Sequence, residues 1–247
     1  MQLAVKGLVL RVNETGADNR FLTVLTGERG IISVFFRGPG ARKPKMGSTE
    51  ALCYSQFMLF QSRERYIVNS ADLLELFFPL RQDIERLSLA QYFCQLLQVV
   101  VPEEEPAAEF LRLTLNTLHF LGKPKRSPAF LKALFELRSL SLAGFMPDLV
   151  GCAGCGCFEK GRMFFSPKQG NLLCGECLEE LRGEGYLSLS PSALAAMRHI
   201  IYSPLEKLFS CTASGESLNI LARCAERYVL YQTERTYTAL DFYNQLF

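Results

Sequence analysis

The chain carries nine cysteines, and five of them fall between 152 and 177. Four form two matched pairs, Cys152-Ala153-Gly154-Cys155 and Cys174-Gly175-Glu176-Cys177, with eighteen residues between the pairs. That spacing suits a four-cysteine metal site. Two residues between paired cysteines allow a tight turn that aims both sulfurs at one point, and a second such turn completes a tetrahedron around Zn²⁺. Four thiolates close the shell and leave no position for water or substrate, so one zinc ion here would hold structure rather than do chemistry. An iron–sulfur cluster would use the same ligands and would be coloured. Disulfides need an oxidising compartment. The sequence opens MQLAVKGLVLRVNETG, with no basic leader, long apolar core or small-residue cleavage site, and so reads as cytoplasmic. Cys157 could replace Cys155 in a wider chelate; it reads as a bystander.

With the metal assigned to structure, the chemistry must lie elsewhere. The strongest candidate is Arg37-Gly38-Pro39-Gly40-Ala41-Arg42-Lys43-Pro44-Lys45, which holds four positive charges and no negative one. Phe35 lies just ahead of it, and Arg11 and Arg20 would widen the patch if they share its face. Cations displace counterions from a phosphate backbone and an exposed aromatic stacks a base. A solvated hairpin loop whose cations serve solubility fits the same residues equally well. Lys123, Lys125 and Arg126 form a second, weaker basic loop. No Gly-x-x-x-x-Gly-Lys-Ser/Thr phosphate loop is present, and His119 and His199 sit in apolar helical stretches with no recognisable nucleophile beside them. Nothing in the sequence asks for catalysis.

These residues need elements to position them. Segments 3–12, 20–26, 30–37, 51–61 and 65–70 are rich in Val, Leu, Ile, Phe and Tyr and are separated by turn-forming stretches, which predicts a small five-stranded barrel of the OB type. Alternation places Ile32, Val34 and Phe36 inside and Ser33, Phe35 and Arg37 outside. After Pro79 the apolar period lengthens: Ile84, Leu87, Ala90, Cys94, Leu97 and Val101 recur at helical spacing. The stretch Pro102-Glu103-Glu104-Glu105-Pro106 reads as a solvated linker, and helices follow over about 107–121 and 128–143. Between the cysteine pairs, 162–166 and 171–173 flank a turn, as in a zinc-ribbon hairpin. Ser190-Pro191 marks an N-cap with Pro at the first helical position, opening a helix to about Tyr202. A last helix is expected from about Ser217. The expected organisation is α+β: a barrel over 1–79, helices over 80–149, a four-cysteine module over 150–186 and helices again over 187–247.

Charge is uneven along these parts. Residues 1–78 hold 10 Lys and Arg against 7 Asp and Glu, and the remainder 17 against 18, a mild bias towards a polyanionic partner at the N-terminal end. No apolar run approaches the ~18 residues of a membrane span.

Taken in order along the chain, these features resemble the RecO family of bacterial recombination mediators. The resemblance rests on Thr23-Val24-Leu25-Thr26 and Gly30-Ile31-Ile32-Ser33-Val34, the Arg37 to Lys45 stretch, and Ala143-Gly144-Phe145-Met146-Pro147-Asp148. The segment from Cys152 to Cys177, with Phe165-Ser166-Pro167 and Leu172-Leu173-Cys174, looks like the family's four-cysteine form. Cys157 and the Pro39-Gly40 pair depart from its pattern. The resemblance implies an N-terminal OB-fold, a helical domain and an inserted zinc module. It further implies a non-enzymatic, nucleoid-associated role in DNA repair. The protein would bind single- and double-stranded DNA, anneal complementary strands and help RecA displace single-strand-binding protein. RecR and the C-terminal tail of single-strand-binding protein would be its partners. The competing reading is a protein-interaction adaptor whose zinc module and helices dock repair partners with little affinity for DNA.

Overall fold

The computed structural model describes residues 2–15, 19–37, 47–62, 65–181 and 184–246. The chain divides into two compact units, Met1–Lys123 with Tyr237–Phe247, and Pro124–Thr236.

In the first unit, strands β1 (Gln2–Thr15), β2 (Asn19–Thr26), β3 (Gly30–Phe36), β4 (Tyr54–Ser62) and β5 (Arg65–Glu75) close into a barrel in the order β1-β2-β3-β5-β4. All neighbours are antiparallel except β3 and β5, whose parallel pairing closes the barrel. The expected five-stranded barrel is therefore present. Alternating residues supply its core: Val5, Val9, Leu22, Val24, Ile32, Val34, Phe57, Leu59, Tyr66 and Ala71, with Leu3, Val12, Phe36 and Val68 packed against them. Ile32, Val34 and Phe36 thus face inward and Ser33 is exposed, as the period of two requires.

One end of the barrel's outer surface is also buried. Leu8, Leu25 and Ile31 are nearly inaccessible although they alternate with core residues. Helices α1 (Ile84–Val100) and α2 (Ala108–Leu121) pack against β1 and β2 there. The acidic stretch between them is stitched to the β2–β3 turn by Ile31 N to Pro102 O (3.1 Å) and Ala107 N to Gly27 O (2.9 Å). Gly30 has φ of +54°, and a Cβ there would run into the Pro102 and Glu105 carbonyl oxygens, so the approach depends on glycine. The linker expected to be merely solvated is a structural strap. A short helix absent from the sequence reading, α7 (Thr238–Leu246), packs on α1, with Gln95 holding Thr238 Oγ1 (3.0 Å) and the Ala239 amide (3.2 Å).

The second unit packs helices α3 (Pro128–Leu142), α5 (Pro191–Tyr202) and α6 (Gly215–Thr233) together. Ser127 and Ser190 cap α3 and α5, accepting from the Phe130 amide (3.3 Å) and the Ala193 amide (3.2 Å), each with Pro at the first helical position. Strands β6 (Met163–Ser166), β7 (Asn171–Cys174) and β8 (Leu187–Leu189) form a sheet in the order β7-β6-β8, and α4 (Gly175–Glu180) follows β7 directly. The hairpin expected between the cysteine pairs is β6 and β7, in register from Met163–Cys174 to Ser166–Asn171. Among the described residues no helix is long and apolar enough to cross a membrane.

Candidate metal centre and nucleic-acid face

The hairpin sets the cysteine geometry. Cys174 is the last residue of β7 and the N-cap of α4, so Cys177 sits in the first turn of that helix. The other pair is laid alongside by an isolated bridge between Cys152 and Leu172, with the Ala153 amide donating to Leu172 O at 2.7 Å. The Sγ atoms of Cys152, Cys155, Cys174 and Cys177 all lie within 4.8 Å of one another. Cys155 and Cys174 are 3.8 Å apart, which is the edge of a tetrahedron with arms of about 2.3 Å. Position 154 must be glycine for this to happen: a Cβ there would meet Cys177 Sγ at 2.8 Å and its Cβ at 3.0 Å.

The backbone prepares the site for negative charge. Cys152 Sγ accepts from the Gly154 amide (3.4 Å) and the Cys174 amide (3.3 Å). Burial raises its pKa, but donation from the Cys155, Cys174 and Gly154 amides outweighs burial and brings the thiol down to about 6. Four sulfurs converging on one point, one of them already stabilised as thiolate, fit a metal ion held without an open position. Cys157 stands outside this group of four. Its carbonyl accepts from the Cys152 amide (2.8 Å), and hydrogen bonding to Cys155 pushes its thiol up to about 12.

Arg198 of α5 secures the loop that carries the first pair. It donates to the carbonyls of Leu149 (2.7 Å), Val150 (3.1 Å) and Phe158 (3.3 Å), pairs with Glu159 and lies 4.3 Å from the centre of the Phe158 ring. The sequence reading passed over Arg198, because nothing in a lone helical arginine announces carbonyl partners some 40 to 50 positions away.

The DNA-binding candidates separate by face. Cross-strand partners share a face of the sheet, and Val12 and Leu22 are partners in the core. The neighbouring pair Arg11–Thr23, and Ser33 beyond it, therefore lie outside. The next outer row is Asn13, Phe21, Phe35, Ile67 and Phe60, linked partner to partner through β1, β2, β3, β5 and β4. The Phe21 and Phe35 rings are 5.1 Å apart and tilted by 50°, and Phe60 is 48% exposed. Arg37 follows β3 and Arg65 opens β5, both exposed. Neither they nor Arg11 form an ion pair among the described residues.

Arg20 does not join them. It is paired with Phe36 on the inner side at the barrel rim, and its guanidinium is held by Glu50 (2.9 Å) and Glu14 (3.5 Å). Arg42, Lys43 and Lys45 lie outside the described residues. Lys123 and Lys125 are exposed after α2. His199 is engaged at both ring nitrogens, by Lys207 O (3.0 Å) and Ser203 Oγ (3.1 Å). Phe21, Phe60, Ile67 and Arg65 were not among the sequence candidates. Alternation could have placed each on an outer face, but only the register between strands brings them into one row.

Known proteins match this chain from end to end. Residues 1–77 match the family model "Recombination protein O N terminal" and residues 81–241 the model "Recombination protein O C terminal". The chain is 36% identical over 247 residues to a DNA repair protein RecO of Acetivibrio thermocellus, a match covering 99% of this chain and 97% of that protein. A protein of the same description from Symbiobacterium thermophilum is 32% identical over 248 residues, covering 98% and 96%.

Proposed function

The chain belongs to the RecO family, and from that premise we propose that it is a non-enzymatic recombination mediator in bacterial DNA repair, acting in the cytoplasm at the nucleoid. The observation that carries the DNA-binding part is the outer row of the barrel, Phe21, Phe35, Ile67 and Phe60, with Arg11, Arg37 and Arg65 around it forming no ion pair among the described residues. Aromatic side chains stack bases of any sequence, an aliphatic one such as Ile67 adds apolar contact, and guanidiniums gain by displacing counterions from phosphates. A single strand laid on this row would be held by backbone and base faces, with its hydrogen-bonding edges left available to a complementary strand. Neutralised phosphates would then lower the repulsion between two such strands, which is the physical requirement of annealing. Arg42, Lys43 and Lys45 would add phosphate contacts in this reading. Duplex binding would use the phosphate contacts without the stacking.

The four cysteines would hold one Zn²⁺, the metal for which four thiolates at tetrahedral spacing are a characteristic structural shell. Bound zinc would supply rigidity to the module, and the chain's own part is to present the sulfurs through the hairpin, Gly154 and the Arg198 clamp. Family membership supports RecR, the C-terminal tail of single-strand-binding protein and, indirectly, RecA as partners.

The test is an oligonucleotide titration over a range of salt. The native protein should bind single strands with a log–log slope near −3 to −4, for about four to six phosphates at ~0.7 each. Changing Phe35, Arg11 and Arg37 together to Ala should weaken binding at least tenfold and flatten the slope. Native protein that binds no oligonucleotide at low salt would move the role to an adaptor that only docks repair partners.

A further inference from the structure

The exposed side of α6 carries a second arrangement with the chemistry of a phosphate contact. Asn219, Arg223, Arg227 and Tyr231 follow one another at four-residue steps, so they stand above one another on one side of the helix. The opposite side buries Leu221, Cys224, Ala225, Tyr228 and Val229. Asn219, Arg223 and Arg227 are exposed, and Tyr231 is 53% accessible.

Two properties separate this strip from an ordinary solvated helix face. First, neither arginine forms an ion pair among the described residues, and the carboxylate beside them, Glu226, is committed to Lys132 at 2.8 Å. Like charges one turn apart destabilise a helix, and no ion pair among the described residues offsets that cost. Second, an exposed aromatic continues the same line after two cations. Beside it, Gln232 holds the Pro167 and Lys168 carbonyls (3.2 and 3.1 Å), which brings the exposed Lys168 to this end of the helix. Glu216 in the first turn and Glu234 at the C-cap limit the cationic stretch to its central turns.

We propose that Arg223, Arg227 and Tyr231 form a second contact for single-stranded nucleic acid, separate from the barrel row. The two guanidiniums take neighbouring phosphates and Tyr231 stacks a base. An acidic peptide would satisfy the arginines and leave the aromatic without a role; a nucleotide uses all three side chains. The proposal rests on the DNA-binding reading only for its choice of ligand.

The chain contains no tryptophan, so Tyr231→Trp in the full-length, metal-loaded protein places a single tryptophan, which can be excited apart from the tyrosines, in the strip. Phe35→Trp does the same for the barrel row. Oligothymidylate should quench the Tyr231→Trp emission. Adding Arg223→Ala and Arg227→Ala to that reporter should shift the quenching midpoint about tenfold and reduce the salt slope by about 1.4, at ~0.7 per phosphate. Silence at oligonucleotide concentrations that saturate the Phe35→Trp reporter overturns the strip and leaves the barrel reading standing. Quenching of Tyr231→Trp with Phe35→Trp silent keeps the strip and removes the barrel row. Quenching by an Asp- and Glu-rich peptide but not by oligothymidylate overturns the proposal, because the strip is then a protein contact. Quenching that the two arginine changes leave unmoved also overturns it.

Discussion

The Tyr66 hydroxyl donates to Glu104 Oε2 at 3.0 Å, joining the wall of the barrel to the strap between α1 and α2. Arg29 donates to the same hydroxyl (3.1 Å) and pairs with Glu104 (3.4 Å), so three residues from three segments share one hydrogen-bonded knot. Glu104 adopts φ of +57° to reach it, an unusual backbone conformation for a residue other than glycine.

Removing that hydroxyl tests the knot. Tyr66→Phe should cost about 0.5–1.5 kcal/mol of stability at neutral pH, the range for a single hydrogen bond. Burial, followed by the hydrogen bond to Glu104, raises the Tyr66 pKa above its ordinary value of 10.0. A phenol whose folded pKa is raised stabilises the fold fully below its unfolded pKa, and that contribution is lost as pH rises through the folded value. Urea unfolding at pH 8 and above pH 10 should therefore show the gap between native and Tyr66→Phe proteins narrowing in alkali. A gap that stays constant contradicts the coupling.

Within α3, Lys132 and Glu136 are a buried pair at 2.8 Å, and Lys132 also reaches Glu226 at 2.8 Å. Burial lowers the Lys132 pKa, but the two carboxylates outweigh it and the net shift is upward. The charged lysine is thus the folded form, and its contribution persists below the ordinary lysine pKa and fades only in strong alkali. Lys132→Met should destabilise the second unit by about 3–5 kcal/mol, because it leaves Glu136 buried and uncompensated. The double change Lys132→Met with Glu136→Leu should recover much of that loss, since the desolvation cost goes with the charges. Thermal unfolding of both variants decides; a double variant no better than the single one removes the argument.

The amide of Cys174 donates to Cys152 Sγ, and Gly154 packs against Cys177 Sγ; both contacts tie one cysteine pair to the other. Gly154→Ala should push that sulfur away and lower metal affinity while the first unit stays folded. Cys174→Ser should lose the metal and, with it, the order of the module, because structural zinc can contribute on the order of 10 kcal/mol of apparent binding energy. Metal released to a chromogenic chelator, read against circular dichroism, measures both. A Cys174→Ser protein that keeps one equivalent of metal would show that this sulfur is not a ligand.

What the sequence made legible follows the range of the interactions. The α3 and α5 starts are written locally in Ser127-Pro128 and Ser190-Pro191, and both caps are where the pattern puts them. The cysteine site was legible because each pair is a local turn and a four-residue hairpin brings the pairs together. The outer row of the barrel was only half legible: alternation sets Phe35 outside, but its neighbour Ile67 depends on the parallel β3–β5 closure, 32 positions away. Arg20 carried the right charge and the wrong company, since its partner Glu50 lies 30 positions away along the chain. The last helix, α7, escaped because the left-handed Glu234 ends α6 and the nine-residue helix that begins at Thr238 is too short a run for its period to stand out.

That contrast between Arg20 and Arg65 is itself a measurement. Both are single positive charges on barrel strands, so charge alone predicts equal effects on DNA binding. Arg65 is exposed and without an ion pair among the described residues, on the outer side with Ile67, whereas Arg20 is held at the rim by Glu14 and Glu50. A guanidinium already neutralised by carboxylates has little to gain from a phosphate. Arg65→Ala should therefore reduce the log–log salt slope for an oligonucleotide by about 0.7, the value of one single-strand phosphate contact. Arg20→Ala should leave the slope unchanged and act, if at all, on stability, by no more than ~1 kcal/mol for a partly exposed ion pair. Equal slopes for the two variants would mean that the strand follows net charge around the rim and not the aromatic row.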